Sequence, residues 1–299
     1  MAILVVAITA MACNGGNQNS GVSVVTTLYP LEYFAQRIGG DGVSVVNLVK
    51  PGVEAHDYDP TPEDMRRLDS ADVVLYNGSG FEPWMNRALS AISGRGGPRL
   101  ILEASRGMVE NHGTEGEDSS DYGRADPHVW LDPLRAMEQV KLIRDGLSSA
   151  DSDGAAGYAQ NAEDLLAELS ELHQRFAAGL EGCVQDHFVA SHAAFGHLAG
   201  RYGLEQVSIS GLSPEAEPGP GDLASIADTI RELGVRYIMV EPIISARFAE
   251  TLAREVGASL LPLHPLESLT PEESTDGEDY FTVMDSNLDN LRLALGCPQ

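Results

Sequence analysis

The feature that most constrains the fold is an alternation of short apolar segments with amphipathic ones, which runs through the chain twice. The apolar segments are rich in β-branched residues, as buried strands are, and the amphipathic segments have the three- and four-residue spacing of helices. Such alternation predicts parallel sheets with helices on both faces. A chain of 299 residues is long enough for two such units. We therefore predict an α/β fold of two lobes, each with a mainly parallel sheet flanked by helices.

Each half contains four predicted strands. They lie at 22–29, 42–49, 71–78 and 98–104 in the first half, and at 187–192, 204–213, 235–242 and 259–267 in the second. After the last strand we expect an acidic loop and then a final helix, Asp279 to Leu295. Residues 105–125 are acidic and lack periodicity, so they read as a loop. It is either a simple solvated loop or one that concentrates cations through His112 and its carboxylates.

A long amphipathic segment separates the two halves. Leucines and one phenylalanine recur at three- and four-residue steps from Ala155 to about Leu180, which gives one apolar stripe. Roughly 26 residues at about 1.5 Å each span about 40 Å, the length of a whole domain. We predict a rigid connecting helix at 153–181, between an N-terminal lobe at 22–152 and a C-terminal lobe at 182–299.

A stiff turn in the first half presents His128. The sequence Asp126-Pro127-His128-Val129-Trp130-Leu131-Asp132-Pro133 holds this histidine between two prolines, each of which fixes its own φ and restricts the residue before it. Asp126 and Asp132 are candidates to orient the imidazole, as carboxylates beside metal ligands do. One histidine alone is equally typical of a structural turn.

Four residues follow predicted strands at corresponding places in the two halves: His56, His128, His192 and Glu267. Ligands of open α/β sheets bind outside the carboxyl ends of the strands. Three imidazoles and one carboxylate suit Zn²⁺, which prefers four such ligands in a tetrahedron. The fourth position stays open, because His264, three residues earlier, could replace Glu267 if the strand runs in another register. Glu241, at the end of the strand at 235–242, could line the cleft or orient a histidine, but we expect it to be a packing residue.

The charge and the N-terminal segment indicate where the protein works. A net charge of −26 argues against nucleic-acid binding, because phosphates would be repelled. Residues 1–13, MAILVVAITAMAC, form an apolar segment about as long as a signal-peptide core. It ends in small residues before Cys13, which resembles the lipobox of bacterial lipoproteins, although no lysine or arginine precedes it. We expect residues 1–21 to be a signal peptide or lipoprotein anchor with its tether. The protein would be extracytoplasmic, either periplasmic or held at the membrane by a lipid on Cys13.

Several motifs together resemble the metal-binding proteins that serve ABC transporters for zinc and manganese. The resemblance lies in GVEAHDYDPTPEDM, DPHVWLDP, SHAAFGHLAGRYGL, GLSPEAEP and the closing PLESLTPEE…DYFTVMDSNLDNLRLAL, in that order over nearly the whole chain. It implies two α/β lobes joined by one long helix, with His56, His128, His192 and Glu267 holding a metal between them. Zinc-type members have a histidine at the third position, so His192 favours zinc over manganese.

The resemblance also implies a function and a set of partners. The protein would be a monomeric carrier, not an enzyme, that captures Zn²⁺ and delivers it to an ABC permease driven by its ATPase. A manganese- or iron-binding member of the family and a metal-dependent adhesin are the alternatives. A zinc hydrolase is a further class, but the sequence has no HExxH motif or nucleophile elbow. Cys183 and Cys297 lack CxxC partners and are either a disulfide or two buried thiols; the resemblance implies that they pair.

Overall fold

The computed structural model describes residues 21–93, 96–109, 125–215 and 217–298, and within them the chain forms two parallel four-stranded sheets. The two-lobed α/β prediction is confirmed. The anchor predicted at residues 1–21, with Cys13, lies outside the described residues, apart from Gly21. His112, through which the loop at 105–125 could concentrate cations, also lies outside them.

The first lobe is built on a sheet with strand order β2-β1-β3-β4. Its strands are β1 (Val22–Thr26), β2 (Val43–Asn47), β3 (Val73–Tyr76) and β4 (Leu100–Glu103), and its helices are α1 (Tyr29–Gly39), α2 (Pro62–Ser70), α3 (Met85–Ile92) and α4 (Pro133–Ala150). The order reverses between β1 and β3, which opens a crevice at the carboxyl ends of these two strands. The loops after β2 and β4 both lead towards it.

The long connecting helix, α5 (Ala155–Gly179), ends within one residue of its predicted limit. Its buried stripe includes Leu165, Leu169, Leu172 and Phe176, all fully buried, and it packs against α1 and α4. The helix therefore forms part of the core of the first lobe as well as a connection to the second.

The second lobe repeats the topology of the first, with strand order β6-β5-β7-β8. Its strands are β5 (His187–Ala190), β6 (Glu205–Ser208), β7 (Tyr237–Val240) and β8 (Ser259–Pro262), and its helices are α6 (Gly196–Tyr202), α7 (Pro220–Leu233), α8 (Arg247–Val256), α9 (Pro271–Asp276) and α10 (Tyr280–Leu295). The reversal between β5 and β7 creates a second crevice.

One apolar core runs through both lobes. It joins Phe34 of α1, Leu169 of α5, Phe195 beside α6 and Tyr280 of α10 in a single cluster of buried side chains. The rings of Phe34 and Tyr280 meet edge to face, with centroids 5.0 Å apart. The lobes are therefore packed against each other through apolar contacts and are not joined by α5 alone.

The segment that we expected to be an acidic loop contains a short helix, so that expectation is wrong for α9. Thr270 accepts a hydrogen bond from the Glu273 N–H, Glu273 accepts one from the Thr270 N–H, and Pro271 occupies the first turn. This capping box satisfies the free backbone groups of a helix too short to show periodicity. The last strand also ends earlier than predicted, which leaves 263–269 as a loop.

Two further features bear on the sequence analysis. Cys183 and Cys297 form a disulfide, which ties the end of α10 to the segment before β5. Among the described residues, the structure contains no helix with both the length and the apolarity needed to cross a membrane.

Candidate metal site

The structure brings the four predicted residues together between the two lobes. The Nε2 atoms of His56, His128 and His192 and the Oε1 atom of Glu267 lie within 4.8 Å of one another. Five of the six separations among these four atoms are 3.3–3.4 Å. The histidines come from three different loops, and two of the four residues come from each lobe.

These separations match a tetrahedron around a small cation. The edge of a tetrahedron is about 1.6 times the distance from its centre to a corner, and zinc bonds of about 2.0–2.1 Å therefore give edges of about 3.3–3.4 Å. Five of the six edges thus have the length that tetrahedral zinc requires, and the sixth, between His56 and His192, is at most 4.8 Å.

His56 lies in the loop between β2 and α2. Its backbone N–H donates to the Glu54 carboxylate at 2.8 Å, and its ring packs on Phe81 with centroids 4.4 Å apart. Gly52, in the left-handed region at φ 82°, donates its N–H to the Leu269 carbonyl across the interface. The loop that carries His56 is therefore attached to the loop that carries Glu267.

His128 is held by the residues on either side of it. The Asp126 carboxylate accepts hydrogen bonds from its backbone N–H at 3.0 Å and from its Nδ1 at 2.8 Å. The Asn77 side chain donates to the Pro127 carbonyl at 2.9 Å, which fixes the turn from behind. Because Nδ1 donates to Asp126, Nε2 is the nitrogen that faces the other three atoms of the cluster, and its lone pair becomes available to a metal when its proton leaves.

His192 follows β5 and is oriented by a carboxylate from the neighbouring strand. Glu241, one residue beyond β7, accepts a hydrogen bond from His192 Nδ1 at 2.6 Å, and both side chains are almost completely buried. Gln206 donates its side-chain amide to the His192 carbonyl at 2.8 Å. The histidine and its carboxylate thus lie at the crevice between β5 and β7.

Of the roles that the sequence left open for Glu241, the structure shows the orientation of a histidine, whereas we expected packing. The usable signal was its position: Glu241 and His192 follow the two strands between which the order reverses, so their side chains meet at one point. Asp126 has the predicted orienting role, whereas Asp132 does not contact a ligand histidine. Instead it caps α4 and pairs with Arg201.

Glu267 is aimed into the cluster by a tight turn in the loop after β8. The preceding residue, Leu266, has φ 60°, and the Glu267 carbonyl accepts a hydrogen bond from the Tyr29 N–H at 3.1 Å. Trp130 donates its indole N–H to the Pro265 carbonyl at 2.7 Å. The alternative residue, His264, lies outside the cluster, because its ring nitrogens face the Leu266 N–H and Glu273.

The electrostatics of the cluster favour a cation. Burial alone would raise the pKa of Glu267, but the charge of His56 and hydrogen bonds from all three histidines outweigh it and hold that pKa well below its usual range. Burial alone would lower the pKa of His192, but the charges and hydrogen bonds of Glu241 and Glu267 raise it well above the usual value. The same carboxylates that stabilise a proton here would stabilise a metal ion.

One side of the cleft is closed by contacts between the lobes. Arg201 of α6 forms a paired hydrogen bond with Asp132 at the start of α4, and His197 lies 2.9 Å from the Asp126 carbonyl through its Nε2. Gly196 permits this approach, because a Cβ atom there would lie 2.8 Å from the Asp126 carboxylate. Beside the site, a cavity of about 500 Å³ separates Glu54 from the loops after β6 and β7.

The fold consists of two parallel sheets packed along one long helix, and three histidines and a glutamate lie in the crevice between them. This arrangement is that of a two-lobed solute-binding protein. The particular family follows from the sequence: the chain belongs to the ZnuA family, the periplasmic component A of zinc-uptake complexes, whose family model matches residues 24–294. The predicted resemblance is therefore confirmed.

Named relatives agree with this assignment. The chain is 37% identical over 287 residues to the zinc-binding protein AdcA of Streptococcus pyogenes, covering 91% of this chain and 56% of AdcA. It is 35% identical to the high-affinity zinc uptake system protein ZnuA of Bacillus subtilis, covering 98% of this chain and 94% of that protein. The Zn(II)-bound ZnuA-like domain of Streptococcus pneumoniae AdcA has a TM-score of 0.77 and 35% identity, covering 92% and 99% of the two chains. The chain spans about half the length of the AdcA relatives.

Proposed function

We propose that this protein captures Zn²⁺ between its two lobes outside the cytoplasmic membrane and delivers it to an ABC permease driven by an ATPase. His56, His128, His192 and Glu267 would bind the ion. The single observation that carries the proposal is the set of five separations of 3.3–3.4 Å among their ligand atoms. That spacing fits the bond lengths of tetrahedral zinc.

The donor set supports zinc over manganese or iron. Three imidazoles with one carboxylate suit the borderline-soft Zn²⁺, whereas Mn²⁺ is better served by carboxylates, carbonyls and water. The relatives named for zinc favour the same metal. The family match and these two relatives do not favour manganese, iron or adhesion as the function.

A carrier fits the site better than an enzyme does. A catalytic zinc keeps a coordination position for water or substrate, whereas four protein ligands complete a tetrahedron. Release would then require one ligand loop to move, and the cavity beside Glu54 leaves room for motion on that side. The contacts of Arg201 and His197 oppose motion on the other side.

The finer features of the carrier are also part of this proposal. We infer a monomer with an N-terminal lobe at 22–152, a connecting helix at 153–181 and a C-terminal lobe at 182–299. Its location would be periplasmic or at the membrane surface, with a lipid on Cys13 as the anchor. The relatives include a zinc-binding lipoprotein, AdcA of Streptococcus pneumoniae, and the family is described as periplasmic.

The test is a metal competition followed by native mass spectrometry. Metal-stripped protein is offered equimolar Zn²⁺ and Mn²⁺, in parallel with the variants His192→Ala and Glu267→Ala. The expected result is one zinc per chain, weakened in both variants. As a control, His173→Ala on α5 should bind like the unmodified protein, because His173 contacts Tyr202 and not the cluster.

Two results would contradict the proposal. Preferential uptake of manganese would show that the donor set does not select zinc. The absence of stoichiometric metal in the unmodified protein would show that the cluster is not a metal site at all.

A further inference from the structure

We propose that His264 is a positioning residue, which directs the Glu267 carboxylate into the cluster without binding the metal itself. This inference rests on the proposed function. It concerns the loop between β8 and α9, where a buried histidine uses both ring nitrogens to hold backbone and side-chain groups around Glu267.

The backbone of His264 is fixed by a single side chain of α10. Asn287 accepts a hydrogen bond from the His264 N–H at 2.7 Å and donates one to the His264 carbonyl at 2.8 Å. Both residues are buried. These two hydrogen bonds take the place of the strand-to-strand hydrogen bonds, which end with β8. They fix the position of the imidazole relative to α10.

The two ring nitrogens have different partners, which defines the tautomer. Nδ1 accepts a hydrogen bond from the Leu266 N–H at 2.8 Å, so it has no proton. Nε2 is therefore the protonated nitrogen, and it lies 3.1 Å from the Glu273 carboxylate. That carboxylate also accepts from the Thr270 N–H at the start of α9. The ring thus connects the turn before Glu267 to the helix after it.

The bond to Leu266 matters because of the backbone conformation there. Leu266 and Ser79 are the non-glycine residues with positive φ in the described part of the chain, and Leu266 is fully buried. A leucine pays a steric penalty in the left-handed region, because its Cβ approaches the carbonyl oxygen. The left-handed residue reverses the chain, so that the next side chain, Glu267, points at the histidines and does not continue the direction of β8.

His264 is therefore placed to stabilise the strained residue on which the direction of Glu267 depends. Without an acceptor for its N–H, Leu266 would leave a buried donor unpaired in an already unfavourable conformation. Relaxation of that turn would rotate the peptide before Glu267 and displace Oε1. Small displacements of a metal ligand reduce affinity, because the ligands must match the bond length of the metal.

A pair of substitutions separates the two functions of the ring. In His264→Asn the side-chain oxygen can take the place of Nδ1 and accept from Leu266, while the contact with Glu273 is lost. In His264→Gln the amide nitrogen can take the place of Nε2 and reach Glu273, while the acceptor for Leu266 is lost. Both replacements are polar, and circular dichroism and thermal melting would confirm that each variant folds.

Zinc affinity would be measured by competition with a chromophoric chelator. We expect His264→Asn to bind zinc within about threefold of the unmodified protein, and His264→Gln to bind at least about tenfold more weakly. A histidine that only stabilised the fold would not make the loss of zinc affinity larger in His264→Gln than in His264→Asn. Addition of His264→Gln to Glu267→Ala should cause little further loss, because residues that act through one contact are not additive.

The outcomes distinguish this inference from the proposed function. It is overturned if His264→Gln binds zinc as the unmodified protein does, or if its full loss persists in the Glu267→Ala background. The proposed function fails separately, if the unmodified protein binds no stoichiometric zinc. As a matched control, His173→Gln should leave the affinity unchanged.

Discussion

Replacement of Glu241 by glutamine tests whether the orientation of His192 contributes to metal affinity. The Glu241 carboxylate accepts a 2.6 Å hydrogen bond from His192 Nδ1, and the exposed fractions of the two side chains are 3% and 0%. In Glu241→Gln the amide oxygen can accept the same hydrogen bond in nearly the same volume. The substitution therefore removes the negative charge while it keeps the geometry.

The expected loss follows from the charge on that bond. A hydrogen bond to a charged group contributes about 1.5–3 kcal/mol, compared with about 0.5–1.5 kcal/mol for a neutral one. The difference of about 1–1.5 kcal/mol corresponds to about a tenfold change in affinity. Substitutions of residues that orient metal ligands typically weaken binding about 10–100-fold. We expect Glu241→Gln to weaken zinc binding about tenfold.

The loss should depend on pH in a defined direction. Burial lowers the pKa of His192, but Glu241 and Glu267 outweigh burial and raise it well above the usual value. In the unmodified protein a proton on His192 therefore competes with the metal as the pH falls. Glu241→Gln weakens this competition as well as metal binding. The affinity of the unmodified protein divided by that of Glu241→Gln should therefore increase as the pH rises.

The assay is competition with a chromophoric zinc chelator at several pH values. Glu205→Gln is a matched control, because Glu205 of β6 lies 3.0 Å from His187 of β5 in the same sheet but is 75% exposed and outside the site. An affinity of Glu241→Gln within twofold of the unmodified protein would refute the reasoning. An equal loss in Glu205→Gln would refute it as well.

Three other predictions follow from the same structure. Asp126→Asn should weaken zinc binding less than Glu241→Gln does in the same competition, because the Asp126 side chain is 21% exposed and solvent already screens its charge on His128. Zinc at about 1,000 times its Kd should stabilise the protein by about 4 kcal/mol in thermal melting, a chelator should reverse this, and His192→Ala should show a smaller shift. Chiefly through its contact with His264, the fold lowers the pKa of Glu273 to about 2. The ionised form therefore favours the fold above about pH 4.5, and that stability disappears as the pH falls towards about 2. Denaturant titration should give the unmodified protein a free energy of unfolding about 1–2 kcal/mol higher than that of Glu273→Gln, after allowance for partial exposure. This difference should shrink as the pH falls over the same range.

The parts of the fold with strong periodicity could be predicted from the sequence. The apolar stripe of α5 set its limits to within one residue, and the β-branched segments located all eight strands. Helix α9 was missed, because six residues are too few to show a repeat. Its start was nevertheless encoded in Thr270 and Glu273, which form the capping box, and in Pro271 in the first turn.

The candidate site was predictable to the extent that strand ends determine position. His56, His128, His192 and Glu267 come together because parallel strands direct their carboxyl ends to one edge. The role of Glu241 stayed open between packing and the orientation of a histidine, because a carboxylate after a strand has the same sequence signature whether it faces solvent or an imidazole. The choice between His264 and Glu267 depends on the left-handed Leu266, and leucine gives no sequence signal for that conformation.

The separation of the ligands along the chain makes a bound ion a removable cross-link. His56 and Glu267 are 211 positions apart, and Cys183 and Cys297 are 114 positions apart, so the two closures enclose overlapping segments of the polypeptide. The disulfide restricts the unfolded chain, and the entropy it removes grows with the length enclosed. A bound ion would instead stabilise the folded chain alone, because the four residues meet only there. The disulfide is a permanent link, whereas under the proposed function the ion would be lost at each delivery. Delivery would thus release the larger of the two closed loops in one event and leave the covalent one intact.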